Sequence, residues 1–303
     1  GPSAKPTPMA ILAHTSDVHF GPLPEASFRE LANQRALGYL NWHRNRAHHF
    51  SADVLAAITE DIHSAHPDHI AVTGDLVNLG LDAEYDAAFA WLQTLGPPSA
   101  VTVVPGNHDA YLASSVARYS KTWLPYATGD RPNPTMAFPF VRKRGQMALI
   151  GLSTAVVTAP MMATGRVEED QAKEFGQLRA AAGREGLCRV VLIHHPPARR
   201  STTFFRRLIG ADLVRHAVAR FGAELVLHGH NHHTSVMHID GPDGKKVPVV
   251  GAAAPSIAPN AKHPGGAYNL LKIEGKDGAY AIGMVERGFR EGAIASVSKR
   301  RLA

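Results

Sequence analysis

Cysteine is almost absent. Cys188 stands alone in 303 residues, so no disulfide can form within the chain, and a reducing, cytoplasmic setting is the simpler expectation. Its place at the head of the apolar run Cys188 to Ile193 marks it as a buried core thiol rather than a nucleophile. No apolar run approaches the roughly 20 residues that a membrane-spanning helix needs. Internal repeats and low-complexity blocks are missing too. The opening Gly1-Pro2-Ser3 has no charged or apolar signal region and resembles the remnant of a protease cut; residues 1–8 are therefore expected to be a disordered scar. Acidic residues are outnumbered, leaving a net charge of +6. That suits an anionic substrate or surface, but there is no long basic track, so a nucleic-acid partner is not expected.

What is present is a substantial apolar fraction, 45% of residues, arranged in short runs that alternate with helical patterns. Strands are expected at 10–14, 70–72, 101–104, 147–152, 190–193 and 225–227, and helices at 25–49, 52–65, 83–95, 168–182 and 211–221. A hairpin at Gly241-Pro242-Asp243-Gly244 and alternating segments near 247–251, 267–273 and 279–285 follow. This order predicts an α/β fold with two stacked mixed sheets flanked by helices. It is read as one domain over 9–287 with a helical cap inserted at about 21–50. Residues 288–303 are read as a basic tail, free, packed on a partner subunit or touching an anionic surface.

Polar clusters stand just after the apolar runs: Asp17-Val18-His19, Gly74-Asp75, Gly106-Asn107-His108-Asp109, His194-His195 and Gly229-His230-Asn231-His232. Strand ends are where an open α/β sheet collects its functional groups. Phosphoryl chemistry with two divalent ions about 3.5–4 Å apart needs one shared ligand and further N/O donors. Asp17 and His19, two residues apart on a loop, suit one ion, and His232 returns to it. Asp75 suits the shared position because a carboxylate has lone pairs for both ions. Asn107, His194 and His230 complete the second. Thiolate is absent, so Mn²⁺, Fe²⁺ or Zn²⁺ all fit.

This ordered set resembles the calcineurin-like metallophosphoesterase superfamily, whose pattern runs D-x-H, GD, GNH(D/E), H and GHxH. The resemblance spans about Ile11 to His232. It implies a four-layer αββα sandwich and a dinuclear centre in which Asp17, His19, Asp75 and His232 hold one metal and Asp75, Asn107, His194 and His230 the other. It further implies attack on phosphorus by a metal-bridging hydroxide. His108 would then contact the phosphoryl oxygen or protonate the leaving group. Asn78 takes the position where phosphoprotein phosphatases orient that histidine with an aspartate, and is expected to make the same hydrogen bond without charge. The tyrosine that binds ferric iron in purple acid phosphatases is not at that position. Asp109 is expected to be a structural hydrogen-bonder.

His194-His195-Pro196-Pro197 together with GHNH is similar to the class III cyclic-nucleotide phosphodiesterase branch, so a phosphodiesterase is the leading expectation. A UDP-diacylglucosamine-type pyrophosphatase or lipid phosphoesterase is the alternative, because those enzymes share the motifs and carry an inserted lid. A nuclease and a non-catalytic scaffold follow. Substrate contacts are expected from His195, Arg35, Trp42 and Arg46, the last three on the mixed apolar and cationic segment 21–50. The Arg199-Arg200 to Arg206-Arg207 stretch, with Phe204 and Phe205 inside it, has the same character. A phosphorylated small molecule, nucleotide or lipid-like compound is the expected partner, with peripheral membrane contact left open.

Overall fold

The computed structural model describes residues 7–21, 23–46, 49–131 and 133–303, without the side chains of Phe28, Asn45 and Arg46. Residues 1–6 of the expected scar thus lie outside the described residues. The strands are β1 (Met9–Thr15), β2 (His69–Val72), β3 (Val101–Val103), β4 (Phe140–Arg144), β5 (Met147–Gly151), β6 (Gly165–Arg166), β7 (Cys188–Leu192), β8 (Leu208–Ile209), β9 (Leu225–His228), β10 (Ser235–Asp240), β11 (Lys246–Gly251), β12 (Ala267–Lys276), β13 (Ala279–Arg290) and β14 (Ala293–Arg301). The helices are α1 (Phe28–Leu31), α2 (Arg35–Asn41), α3 (Ala52–Ser64), α4 (Asp82–Leu95), α5 (Ala113–Thr122), α6 (Glu169–Arg184) and α7 (Ala211–Phe221).

The described residues form two six-stranded sheets, ordered β14-β13-β12-β1-β2-β3 and β10-β11-β9-β7-β5-β4, and a small β6-β8 pair. Both large sheets mix parallel and antiparallel neighbours: β1 runs parallel to β2 and antiparallel to β12. Three apolar clusters fill the gaps between four layers. Leu12, Ala71, Leu271 and Ile273 meet Leu149, Cys188, Val190 and Leu227 between the sheets. Ile58, Ile62, Trp91 and Leu92 pack α3 and α4 onto the first sheet, and Phe175, Val214 and Val218 pack α6 and α7 onto the second. Cys188 is buried. No described helix is long and apolar enough to cross a membrane.

Two expectations are corrected. The 25–49 helix is broken: α1 has its own capping box from Ser27 and Glu30, and α2 passes into a wider turn at Trp42–Arg46. The 288–303 tail is largely a strand. Ala293–Arg301 pairs antiparallel with β13 through Gly283↔Arg301 to Arg290↔Ala293. Its side chains are mostly solvated at a sheet edge, so charge concealed a pairing made by the backbone.

Candidate metal centre

The parallel strands β1, β2 and β3 of one sheet and β7 and β9 of the other end along one margin of the sandwich. Each motif turns sharply there. Asp17, His19, Asp75, His230 and His232 all have φ between 45° and 72°, a left-handed conformation that costs a non-glycine residue about 1 kcal/mol or more. Backbone bonds enforce it, from Asp17 N–H to the Gly74 carbonyl at 2.9 Å and from His19 N–H to the Asp75 carbonyl at 3.1 Å. Two glycines are explained by close approach. A Cβ on Gly106 would overlap the Asp75 carboxylate, and one on Gly229 would overlap Ser16 and Asp17.

The turns bring Asp17, His19, Asp75 and His232 into one group and Asp75, His194 and His230 into a second, each with donor atoms within 4.8 Å of one another. Asp75 is common to both. His19 Nε2 lies 3.0 Å from His232 Nε2, 3.8 Å from Asp17 Oδ1 and 3.9 Å from Asp75 Oδ2. His194 Nε2 lies 3.2 Å from Asp75 Oδ2, and His232 Nε2 lies 3.2 Å from Asp17 Oδ1. Asp17 Oδ1, Asn107 Oδ1 and His194 Nε2 are nevertheless buried without a satisfactory hydrogen bond. Native structures leave few such atoms, and convergent ones mark a place where a cation fits.

Backbone carbonyls set the imidazole tautomers. His19 Nδ1 faces the Val77 carbonyl at 3.2 Å, His194 Nδ1 the Thr73 carbonyl at 2.6 Å, and His230 Nε2 the Arg206 carbonyl at 3.0 Å. A carbonyl can only accept, so each of these nitrogens carries a proton and the other is the one left for an ion. Arg206 adds a guanidinium bond to the His230 carbonyl, which ties the 199–210 loop to the motif.

Burial, with neighbouring histidines, holds His19 and His230 well below the ordinary imidazole value. His194 differs: burial lowers it, but the negative charge of the adjacent Asp75 wins and brings it to about 9. Burial alone would raise Asp75, yet His194, His108 and His19 hold its carboxyl well below the usual range. The donor set therefore fits divalent cations: two carboxylates, one amide oxygen and lone pairs on fixed imidazoles.

Around this set the expectations divide. His108 is beside it: its backbone N–H donates to Asp75 Oδ1 at 2.8 Å, and its ring meets the His19 ring edge-on at 4.9 Å. Asn78 orients His108, but through its backbone carbonyl, 2.7 Å from Nδ1. The Asn78 side chain instead donates to the Phe20 carbonyl at 2.7 Å, which corrects the expected side-chain contact. Asp109 accepts from the N–H groups of Asp75, Leu76, Val77 and Gly106 at 2.8–3.3 Å and so holds two motif loops together.

Two of the expected substrate contacts, Arg35 and His195, are committed elsewhere. Arg35 is buried and donates to the carbonyls of Leu79 and Gly80, clamping α2 to the loop after β2. His195 is fully buried with both nitrogens engaged, Nδ1 at 2.6 Å from Thr154 Oγ1 and Nε2 at 3.0 Å from the Ala163 carbonyl. Arg46's side chain lies outside the described residues. Trp42 lines the cavity beside His108. Sequence reasoning missed the carbonyls of Thr73, Val77, Asn78 and Arg206, because a backbone oxygen leaves no residue signature.

Residues 11–234 match the family model for the calcineurin-like phosphoesterases. The chain belongs to that family, a class of metal-dependent phosphoester hydrolases built around a dinuclear divalent centre. Among solved structures it is similar to a dimetal phosphatase from Danio rerio, with a TM-score of 0.64, 11% identity and 99% of each chain covered. It is also similar to a purple acid phosphatase from yellow lupin seeds (TM-score 0.59, 14% identity) and to a Haemophilus influenzae NAD nucleotidase (0.52, 11%). It covers 54% of each of those two chains, with 96% and 97% of its own length matched. At such identities the likeness is one of fold. No curated protein matches the chain.

Proposed function

We propose that the chain hydrolyses phosphodiesters at a two-metal centre, with Asp17, His19, Asp75 and His232 holding one divalent ion and Asp75, Asn107, His194 and His230 the other. The observation that carries this reading is the convergence of unpaired buried donors on the shared Asp75, with histidine lone pairs fixed by backbone carbonyls. When bound, the ions supply activation of water and neutralisation of phosphoryl charge.

The chain's own groups do the rest. The His108 amide fixes Asp75 Oδ1 and leaves Oδ2 toward His19 and His194. The His108 ring, steered by the Asn78 carbonyl, serves the phosphoryl or leaving-group oxygen with a hydrogen bond or proton. Segment 23–46 caps the site, and Arg35 holds the cap down. A diester is favoured over a monoester because, among the described residues, the cavity beside His108 is lined without Lys or Arg. A dianionic monoester would gain from such cations more than a monoanionic diester would.

The test is a rate comparison on Mn²⁺-loaded protein with bis-p-nitrophenyl phosphate and p-nitrophenyl phosphate. The diester should be the better substrate by kcat/KM. A preference for the monoester would overturn the diester assignment, and no turnover of either would overturn the hydrolase reading.

A further inference from the structure

We propose that the cavity beside His108 is a subsite for an uncharged, apolar substituent of the phosphoester, which makes the substrate the ester of a hydrophobic alcohol rather than a nucleotide. This rests on the hydrolase reading above. The cavity measures about 470 Å³, within the range of small-molecule pockets. Its lining includes Asn78, Asn107 and His108, beside the metal centre, and Leu37, Trp42, Met161 and Met162.

Among the described residues its lining contains no Asp, Glu, Lys or Arg. A second phosphate or a carboxylate entering it would lose water and find no counter-charge, whereas an alkyl or aryl group loses nothing. A nucleotide's base and sugar would also need several polar partners there. The amide donors nearest at hand are already spent, Gln34 Nε2 on the Tyr111 carbonyl at 2.6 Å and Asn78 Nδ2 on the Phe20 carbonyl.

The apolar character continues outside. Among the described residues the exposed large hydrophobic side chains are Met9, Leu37, Leu40, Val157, Met161, Phe204 and Phe205. Leu37 and Met161 line the cavity, Leu40 and Val157 lie on the same two segments, α2 and the loop before β6, and Phe204 and Phe205 lie on the loop before β8. The Ala163 N–H bonds the Phe205 carbonyl at 3.0 Å, joining those two loops into one rim. Isolated surface hydrophobics need no explanation, but a set gathered round one opening does.

Met161 is the sharpest case, 98% exposed at φ 66°. Bonds from Met162 N–H to the Ala159 carbonyl at 3.1 Å and from Thr158 Oγ1 to the Met162 carbonyl at 2.7 Å hold the turn that projects it. A strained turn that presents a flexible apolar side chain at a cavity mouth suits chains of varied shape.

Calorimetric binding of methyl-, butyl- and octylphosphonate to the Mn²⁺-loaded chain tests this, since phosphonates have no leaving group. Affinity should rise by about threefold per methylene, and adenosine monophosphate should bind no better than butylphosphonate. Leu37→Asp and Met161→Asp should each shrink the octyl-to-methyl affinity ratio by about tenfold. Met161 is so exposed that its variant keeps the fold, which a matching circular dichroism spectrum would show. A flat series, or tighter nucleotide binding, overturns the subsite while hydrolysis of bis-p-nitrophenyl phosphate leaves the hydrolase reading standing. Loss of that hydrolysis in the unsubstituted protein defeats both. Competition of octylphosphonate by phosphatidic acid vesicles would point to a membrane lipid as the source, and its absence to a dispersed ester; either supports the subsite.

Discussion

At the scale of single residues, the centre is built less from unusual side chains than from the carbonyls behind them. The carbonyls of Thr73, Val77 and Arg206 each hold one ring nitrogen of His194, His19 and His230, so the other nitrogen of each is aimed before an ion arrives. Asp75 is the residue that both groups share, and Asp75→Asn should lower turnover by on the order of 10³-fold with the cooperative unfolding of the metal-free chain retained. Wild-type rates in that variant would remove Asp75 from the mechanism.

His108→Ala should cost about 10²-fold with an alkyl leaving group but little with p-nitrophenol, which departs without a proton. Equal losses on both would deny His108 a role as acid. His194 gives a third expectation. The Asp75 charge raises it to about 9, so the metal-free protein carries a proton there at neutral pH. An ion taking that lone pair displaces it. Metal affinity should therefore climb with pH up to about 9, and calorimetry in buffers of different ionisation enthalpy should detect about one proton released. Uptake independent of pH over that range would contradict the assignment of His194.

The ordered motifs made most of these side chains legible in the sequence, and the structure brings Asp17, His19, Asp75, His194, His230 and His232 together as anticipated. What the sequence hid was direction. Arg35 reads as a surface cation in a basic segment but turns inward to two carbonyls. His195 adjoins a proposed ligand yet spends both nitrogens internally. Asn78 is in the anticipated place with the anticipated neighbour, but the bond is made by its backbone. Residue type cannot distinguish these outcomes, because each depends on which way a short loop is wound.

At the scale of elements, the loops after β1, β2 and β9 are wound in the left-handed region and need stiff support. Asp109 supplies part of it by accepting backbone N–H groups from the 75–77 turn and from Gly106. Glu84 does the same at the start of α4, accepting from Asn78, Leu79 and Leu81. The alternation of strand and helix was readable because each buried run is short and ends in a polar motif. The edge strand β14 was not, since half-solvated pairing leaves no clear period-two pattern in a stretch rich in Lys, Arg, Ser and Ala.

One link fastens that edge region to a helix. Asp61 on α3 accepts two bonds from the Arg287 guanidinium, at 2.6 and 2.7 Å, and one from Tyr268 at 2.6 Å. The Arg287 bond, aided by Tyr268, holds the Asp61 carboxyl below its usual value. The sign follows: a depressed folded-state pKa stabilises above the unfolded value near 4 and is lost as pH falls through the folded one. Asp61→Asn should cost about 2 kcal/mol at neutral pH, read as a lower urea midpoint with the same m-value. The gap between variant and wild type should close below about pH 4. A gap that persists in acid would assign the loss to packing instead of charge.

At the scale of the whole molecule, two sheets are stacked so that strand ends from both reach one margin. Neither sheet holds a complete donor set. Asp17, His19, Asp75 and Asn107 come from loops of the first sheet, and His194, His230 and His232 from loops of the second. The centre therefore ties the sandwich's two halves together, and ion binding should stabilise the folded chain as a whole. This arrangement was foreseeable only through the resemblance of the ordered motifs to a known family. Hydrophobic periodicity predicts strands and helices but does not say which edges of which sheets face one another.

Metal stoichiometry tests the account most directly. Protein stripped with a chelator, reloaded with Mn²⁺ and freed of excess should hold about two ions per chain by elemental analysis. Diester hydrolysis should return in step with the second ion, and Asp75→Asn should lose ions from both positions. A chain that saturates at one ion, or hydrolyses diesters at full rate without any, would contradict the shared-carboxylate centre.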